Sequence, residues 1–230
     1  MSARETVLRR IRVALAATPS APVVTADDVP RTYAREGAVP SRSAAAVDLL
    51  ADRLVDYRAT VLRCTPDDVA RVVAAQLADA GSVVVPAGVP AAWARAVAEA
   101  GVVVRVDEPA VDANPTGPPA DAVPLSHAEL DATGAVLTAC RVAIAETGTI
   151  VLDAGPDQGR RALTLLPDRH VCVVRADQVV GSVPQAVALL AEHPERPLTW
   201  ISGPSATSDI ELVRVEGVHG PRDLRVVLVG

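Results

Sequence analysis

The sequence predicts an α/β protein, a mostly parallel sheet sandwiched by helices and preceded by an N-terminal helical arm. Three observations carry this expectation. Short continuous apolar runs alternate with stretches of helical period, as strands covered on both faces require. Capping signals stand where those helices would start. The chain has 230 residues, 50% of them hydrophobic, which is ample for a buried core.

In chain order, Ser2 and Glu5 form a capping-box pattern, and Leu8, Ile11 and Leu15 recur on one face, which predicts a helix over 2–17. The Pro-, Thr- and Asp-rich stretch that follows reads as an extended arm to residue 42, with an α/β domain over 43–230. A helix on such an arm packs on a partner, on a second copy or on its own domain. AAAVDLLADRLV is a helix leading to the strand TVLRC. Thr65-Pro66-Asp67-Asp68 then supplies an N-cap, a proline at the first helical position and acid in the first turn. That helix ends at Gly81 before the strand SVVVP, and a further helix runs from Pro90 to Gly101 before VVVRV. The proline-rich stretch 107–125 reads as a long surface excursion rather than a domain linker. Beyond it AVLTAC and RVAIA are strands, GRRALTLL a helix and HVCVVR a strand. Ser182 with Gln185 opens a helix to about residue 192, and LTWIS and LRVVLVG complete the expected sheet.

Composition excludes several kinds of chemistry. All 22 basic residues are arginine, so no lysine serves as a Schiff base or in a P-loop. The net charge of −6 opposes nucleic-acid backbones. No run approaches the roughly 20 apolar residues of a membrane span, and the reading is a cytoplasmic protein. Cys64, Cys140 and Cys172 are dispersed in apolar stretches, and the four histidines have no ligand spacing, so neither a metal site nor a cluster is expected in this chain.

Two motifs could carry chemistry. In AETGT (145–149), Glu146 follows an apolar strand and could act as nucleophile or general base, with Thr147, Gly148 and Thr149 against a ligand. Equally, Glu146 pairs with an arginine and Gly148 simply makes a turn. In GPSATSDIELVRVEGVHGP (203–221), Gly203, Pro204, Ser205, Thr207 and Gly220 offer hydroxyls and backbone N–H groups suited to a small carboxylate or phosphate, with Asp209 and His219 as acid–base groups. The alternative is a well-capped short helix followed by a rigid turn. If both motifs leave strands at one sheet edge, they share a pocket.

AETGT, LLPDRHVCVV, GPSATSDIE and GVHGP, in this order and spacing, resemble the LUD domain of the lactate utilization protein C family, most densely over 134–230. The resemblance implies a Rossmann-like α/β sandwich related to the sugar-phosphate isomerase and CoA-transferase group. It further implies a role in oxidising L-lactate to pyruvate beside partner proteins that carry the iron-sulfur clusters, this chain holding none. Homo-oligomers are also expected. One departure stands out: members of the family often have an arginine where this chain has Ala206, and Arg160, Arg161 or a partner's residue would have to replace it. A rival function is a free-standing CoA-transferase-like or hydrolase-type enzyme using Glu146 on an anionic substrate.

Overall fold

The computed structural model describes residues 2–17, 28–107, 124–207, 215–216 and 220–230. The chain divides into two compact units, residues 1–34 and 35–230. The first contains helix α1 (Ala3–Ala17), whose start is closed as the sequence predicts: Ser2 N–H donates to Glu5 Oε2 at 2.7 Å and Glu5 N–H to Ser2 Oγ at 3.3 Å. Residues 35–42, read from the sequence as the end of the arm, lie in the second unit. There Arg42 N–H donates to the Val179 carbonyl at 2.7 Å, and Ser41 Oγ accepts from Gly181 N–H at 3.1 Å.

The second unit opens with α2 (Ala44–Asp56), β1 (Thr60–Cys64), α3 (Val69–Leu77), β2 (Ser82–Pro86), α4 (Ala91–Glu99) and β3 (Val103–Asp107). Then come α5 (His127–Asp131), β4 (Ala135–Thr138), β5 (Val142–Ile144), β6 (Thr149–Leu152), β7 (Arg169–Arg175), β8 (Val179–Val180) and α6 (Val183–Leu190). The last elements are β9 (Thr199–Ile201), β10 (Ala206–Thr207), β11 (Val215–Glu216) and β12 (Asp223–Val229). Six strands make one sheet in the order β1-β12-β7-β4-β2-β3, and every neighbouring pair in it is parallel.

Side-chain alternation gives this sheet two apolar faces. Val171 and Val173 of β7 with Val227 and Val229 of β12 face α3 and α4, where Val73, Leu77 and Val97 are fully buried. Cys172, Val174, Leu224, Val226 and Leu228 face the other way, onto Leu50 and Leu54 of α2 and onto Ile150 and Leu152 of β6. Each such leucine, taken fully out of water, contributes on the order of 2 kcal/mol.

That second face carries a finding that the sequence pattern did not show. RVAIA and LTWIS do not extend the parallel sheet. They form, with 149–152 and 179–180, a separate four-stranded sheet in the order β8-β5-β6-β9, laid over the first, with α6 against its outer side. The β5–β6 and β6–β9 pairs are antiparallel. GRRALTLL forms only a short 3-10 turn, Arg161–Thr164. Gly159 stands before it in a left-handed conformation (φ +69°) and Pro167 follows closely, leaving no room for a regular helix. Conversely, α5 lies just beyond the proline-rich stretch, closed by a Ser126/Glu129 capping box.

Candidate functional site

In an open parallel sheet, ligands collect outside the carboxyl ends of strands where the winding reverses. Here the chain runs from β2 outward to β3, while β4 leads the opposite way to β7, so that crevice lies between β2 and β4. The chain closes it with its own loop, 153–159. Gly88 N–H donates to the Pro156 carbonyl at 2.8 Å, and Ala139 N–H to the Asp157 carbonyl at 2.9 Å. A Cβ on Gly88 would sit 2.4 Å from the Pro156 carbonyl carbon, so only glycine lets the two backbones meet.

The loop is fixed from within. Asp153 is 2% exposed, and its Oδ2 accepts from Arg196 at 3.1 Å while Gln158 Oε1 accepts from Asp153 N–H at 2.6 Å. Just beyond it, Arg160 grips buried Asp107 at the end of β3 through two bonds of 2.8 and 2.9 Å and also donates to the Leu125 carbonyl. This pairing holds the Arg160 guanidinium above its ordinary pKa, chiefly through the hydrogen bond to Asp107. The polar residues around the crevice therefore serve the fold.

An open cavity of about 420 Å³ lies instead beside β9. Its walls include Arg161, Thr164 and His170 on one side and Ser202, Gly203, Pro204, Ser205 and Gly220 on the other. Gly203 and Gly220 both have positive φ (+86° and +97°), and a Cβ on Gly203 would come within 2.6 Å of Tyr57 Cβ. The loop is tied across its base by Ser205 N–H donating to the Pro221 carbonyl at 2.8 Å. Four of the sequence-predicted ligand residues, Gly203, Pro204, Ser205 and Gly220, thus share this wall. Thr207 lies in β10 at the loop's far end, while Asp209 and His219 fall outside the described residues.

AETGT is the tight turn of the β5–β6 hairpin. Gly148 N–H donates to the Ala145 carbonyl, and Gly148 takes φ +61° with its Cα pressed on Arg53 of α2, where a Cβ would meet the Arg53 Cβ at 2.7 Å. Glu146 is exposed, and its backbone N–H donates to the Gly181 carbonyl at 3.2 Å. Thr147 Oγ1 donates to Thr149 Oγ1 at 2.8 Å, and Thr149 Oγ1 lies 2.8 Å from Ser202 Oγ. The AETGT turn therefore touches Ser202, the residue immediately before the second motif, at one edge of the four-stranded sheet. Glu146 itself is not part of the cavity wall.

Of the two arginines that could replace the residue missing at Ala206, Arg160 is held by Asp107, whereas Arg161 lines the cavity. His170, Thr164 and Ser202 are wall residues that the sequence did not single out. The one usable signal was alternation, which puts His170 and Cys172 of β7 on the same inward face. His170 is 1% exposed, with Nε2 2.8 Å from Thr138 Oγ1; Thr138 donates to Cys172 Sγ at 3.8 Å. Behind this row, the hydrogen bond with Cys172 and burial push the Cys140 thiol well above its usual range, while the Cys140 and His170 contacts pull Cys172 down. Among the described residues no group of three or more His, Cys, Asp or Glu is placed to hold a metal ion, and no helix is long and apolar enough to cross a membrane.

A second cavity, about 600 Å³, opens at the carboxyl ends of β1 and β12. Its acids are already matched by arginines: Asp48 with Arg63 at 2.6 Å and Asp68 with Arg71 at 2.8 Å. Arg42 also lines that cavity and, like Arg161, has no ion pair among the described residues. The cavity beside β9 is the better candidate because four of the sequence-predicted ligand residues, Gly203, Pro204, Ser205 and Gly220, form its wall beside Arg161.

A parallel six-stranded sheet with a small second sheet on one face, and an open cavity displaced from the usual crevice to the edge of that second sheet, define the class of α/β protein. The family model described as the LUD domain matches residues 48–229, and the chain belongs to this family. It is 52% identical over 181 residues to lactate utilization protein C of Deinococcus radiodurans, covering 78% of this chain and 77% of that one. Lactate utilization protein C of Bacillus subtilis is 33% identical over 40% of this chain and 41% of that protein. The crystal structure of a DUF162 family protein from Deinococcus radiodurans aligns with a TM-score of 0.66 and 44% identity, over 84% of this chain and all of the other.

Proposed function

We propose that this chain works in lactate utilization, as a subunit of an iron-sulfur assembly that oxidises L-lactate to pyruvate, in an accessory or regulatory role without a redox cofactor of its own. The observation that carries the reading is the 52% identity to a protein named lactate utilization protein C over most of both chains. Oxidising lactate to pyruvate releases two electrons and two protons, so the reaction needs an electron acceptor. A cluster commonly takes four thiolates, whereas this chain has three dispersed cysteines, two of them buried in the core. It also has no GxGxxG fingerprint for a nicotinamide or flavin. Both facts support partner proteins as the place where the electrons go. The open cavity with Arg161 in its wall suits a small anionic ligand of the kind such an assembly would handle.

The test is co-purification of the tagged chain from its native host, followed by a lactate oxidation assay on the recovered material with and without this subunit. The expected result is recovery of cysteine-rich iron-sulfur proteins and lactate-dependent reduction of an artificial acceptor that falls when the subunit is omitted. Recovery of the chain alone, with undiminished lactate oxidation in a deletion strain, overturns the reading.

A further inference from the structure

The geometry points to the open edge of β9 as a docking groove for an extended, carboxylate-bearing segment of a partner protein, which adds to the four-stranded sheet as a fifth strand. The inference deepens the proposed function by naming how a partner attaches, and it rests on that reading for the existence of partners.

The shape comes from how the cavity meets the strand. Leu198, Thr199, Trp200, Ile201 and Ser202 all line it, although consecutive strand side chains point to opposite faces. A cavity over one face meets every second residue; one that meets five in a row runs along the strand's edge. That edge is the side away from β6, since β9 is the last strand in the order β8-β5-β6-β9. In an antiparallel pair, alternate residues aim their N–H and C=O groups away from the partner strand. Among the described residues, 198–202 make no backbone hydrogen bond to another segment beyond the β6 pairing.

The same sheet's other edge is already covered. At β8, Arg42 N–H donates to the Val179 carbonyl at 2.7 Å and Gly181 N–H donates to Ser41 Oγ at 3.1 Å, so residues 41–42 of this chain close it. β9 has no such cover among the described residues. Its stretch LTWIS holds no charge and no proline, the usual guards of an exposed edge, while Pro197 and Pro204 mark where pairing must stop. Trp200 at its middle is 42% exposed, and Leu165 and Leu198, also exposed, line the same groove.

Charge decides the occupant. Arg161 brings a cation without an ion pair among the described residues, and no Asp or Glu is among the described residues that line the groove. A two-fold contact between copies presents the same surface from both sides, so two Arg161 guanidinia would share the groove with no carboxylate between them. A partner segment that carries a carboxylate beside apolar side chains matches both the guanidinium and the Trp200 rim. Main-chain bonds to β9 then supply the hold, and the alternate side chains supply the choice.

The experiment is calorimetric titration of the full chain with a blocked pentapeptide of alternating valine and glutamate and with its valine–lysine counterpart. Two further forms, N-methylated at the valines or at the glutamates, each remove the N–H groups of one strand edge. The valine–glutamate peptide is expected to bind, and the lysine form at least tenfold more weakly. One of the two methylated forms should lose at least tenfold, because only one edge of the segment faces β9. Arg161→Met should weaken the peptide at least tenfold with an unchanged thermal midpoint, and amide exchange over 199–202 should slow at least tenfold when peptide is bound. No binding at about 1 mM peptide, full affinity in both methylated forms, or full binding by Arg161→Met overturns the inference. So does protection of 199–202 in a peptide-free dimer, which gives the edge to a second copy. Failure here is separable from failure of the assembly reading. A chain that binds the peptide but recovers no iron-sulfur partner loses only the assembly; one that recovers its partners while amides 199–202 exchange as in the free chain loses only this groove.

Discussion

Arg160 and Arg161 are neighbours in sequence and opposites in use. The first turns into the sheet end and closes on Asp107 with the Leu125 carbonyl; the second turns to the cavity beside β9. The same contrast holds for the two places a ligand could go. The crevice between β2 and β4 is filled by 153–159, a loop whose Asp153, Asp157 and Gln158 are engaged in holding it there. The cavity at the edge of the second sheet keeps Arg161 in its wall without an ion pair among the described residues. Polar residues of identical type thus lead to different conclusions according to what already satisfies them, and a count of charged residues near a sheet end would have chosen the wrong place.

The largest break in this comparison comes from the sealed side. Arg160→Met leaves the Asp107 carboxylate, only 2% exposed, with little besides the Leu125 N–H at 2.9 Å. Removing one partner of a buried pair costs about 3 kcal/mol or more. Arg160 is 29% exposed, so the lower figure applies. At roughly 2–4 °C per kcal/mol for a chain of this size, the thermal midpoint should fall by about 10 °C in a melting scan. Gly88→Ala comes next. Its Cβ would press on the Pro156 backbone at 2.4 Å, and the loop must shift at a cost of about 2 kcal/mol. A midpoint within 1 °C of wild type would mean that 153–159 does not seal the crevice in solution.

Smaller still is the link between the AETGT turn and Ser202, at the start of the cavity wall. Thr149→Val removes a buried hydroxyl that meets Ser202 and Thr147, for about 1 kcal/mol. It also loosens the cavity's edge, so anion affinity should fall severalfold along with the midpoint. A lower midpoint with unchanged affinity would show that the hairpin turn and the cavity are independent.

How much of this was legible follows from which forces act locally. The strands of the parallel sheet were readable because continuous runs such as SVVVP and HVCVVR are buried on both sides, and α1 was readable because its capping box is a local device that spans only residues 2–5. The second sheet was not, because β5 and β9 are as apolar as the strands of the first. What separates them is tertiary pairing: Val142 meets Val151 and Trp200 meets Val151 in antiparallel register. The 3-10 turn at Arg161–Thr164 was misread for the opposite reason, since GRRALTLL has good local helix composition but is clamped by its ends. The loop over 203–221 was recognisable as a ligand-holding candidate. Its neighbours in space, Arg161 from the preceding turn and His170 from the middle of the fold, could be added only once the chain was folded.

The smallest expected effect is the sharpest test of the comparison. Glu146 is, with Asp209, one of the carboxylates that the sequence alone offers as a reactive group, and it stands exposed on the turn after β5 and outside the cavity wall. The turn is held by backbone bonds, with Glu146 N–H on the Gly181 carbonyl and Gly148 N–H on the Ala145 carbonyl, and neither depends on the side chain. Glu146→Gln should therefore change stability by no more than about 0.5 kcal/mol, as for other surface positions. Affinity for a small carboxylate such as L-lactate should also stay within twofold of wild type, because the lost charge is not in the cavity wall. If instead the variant melts normally but no longer supports lactate oxidation in the assembly, the carboxylate acts at an exposed turn. The chemistry would then lie on the hairpin rather than in the cavity, and the contrast drawn from Arg160 and Arg161 would fail at the residue where it predicts nothing should happen.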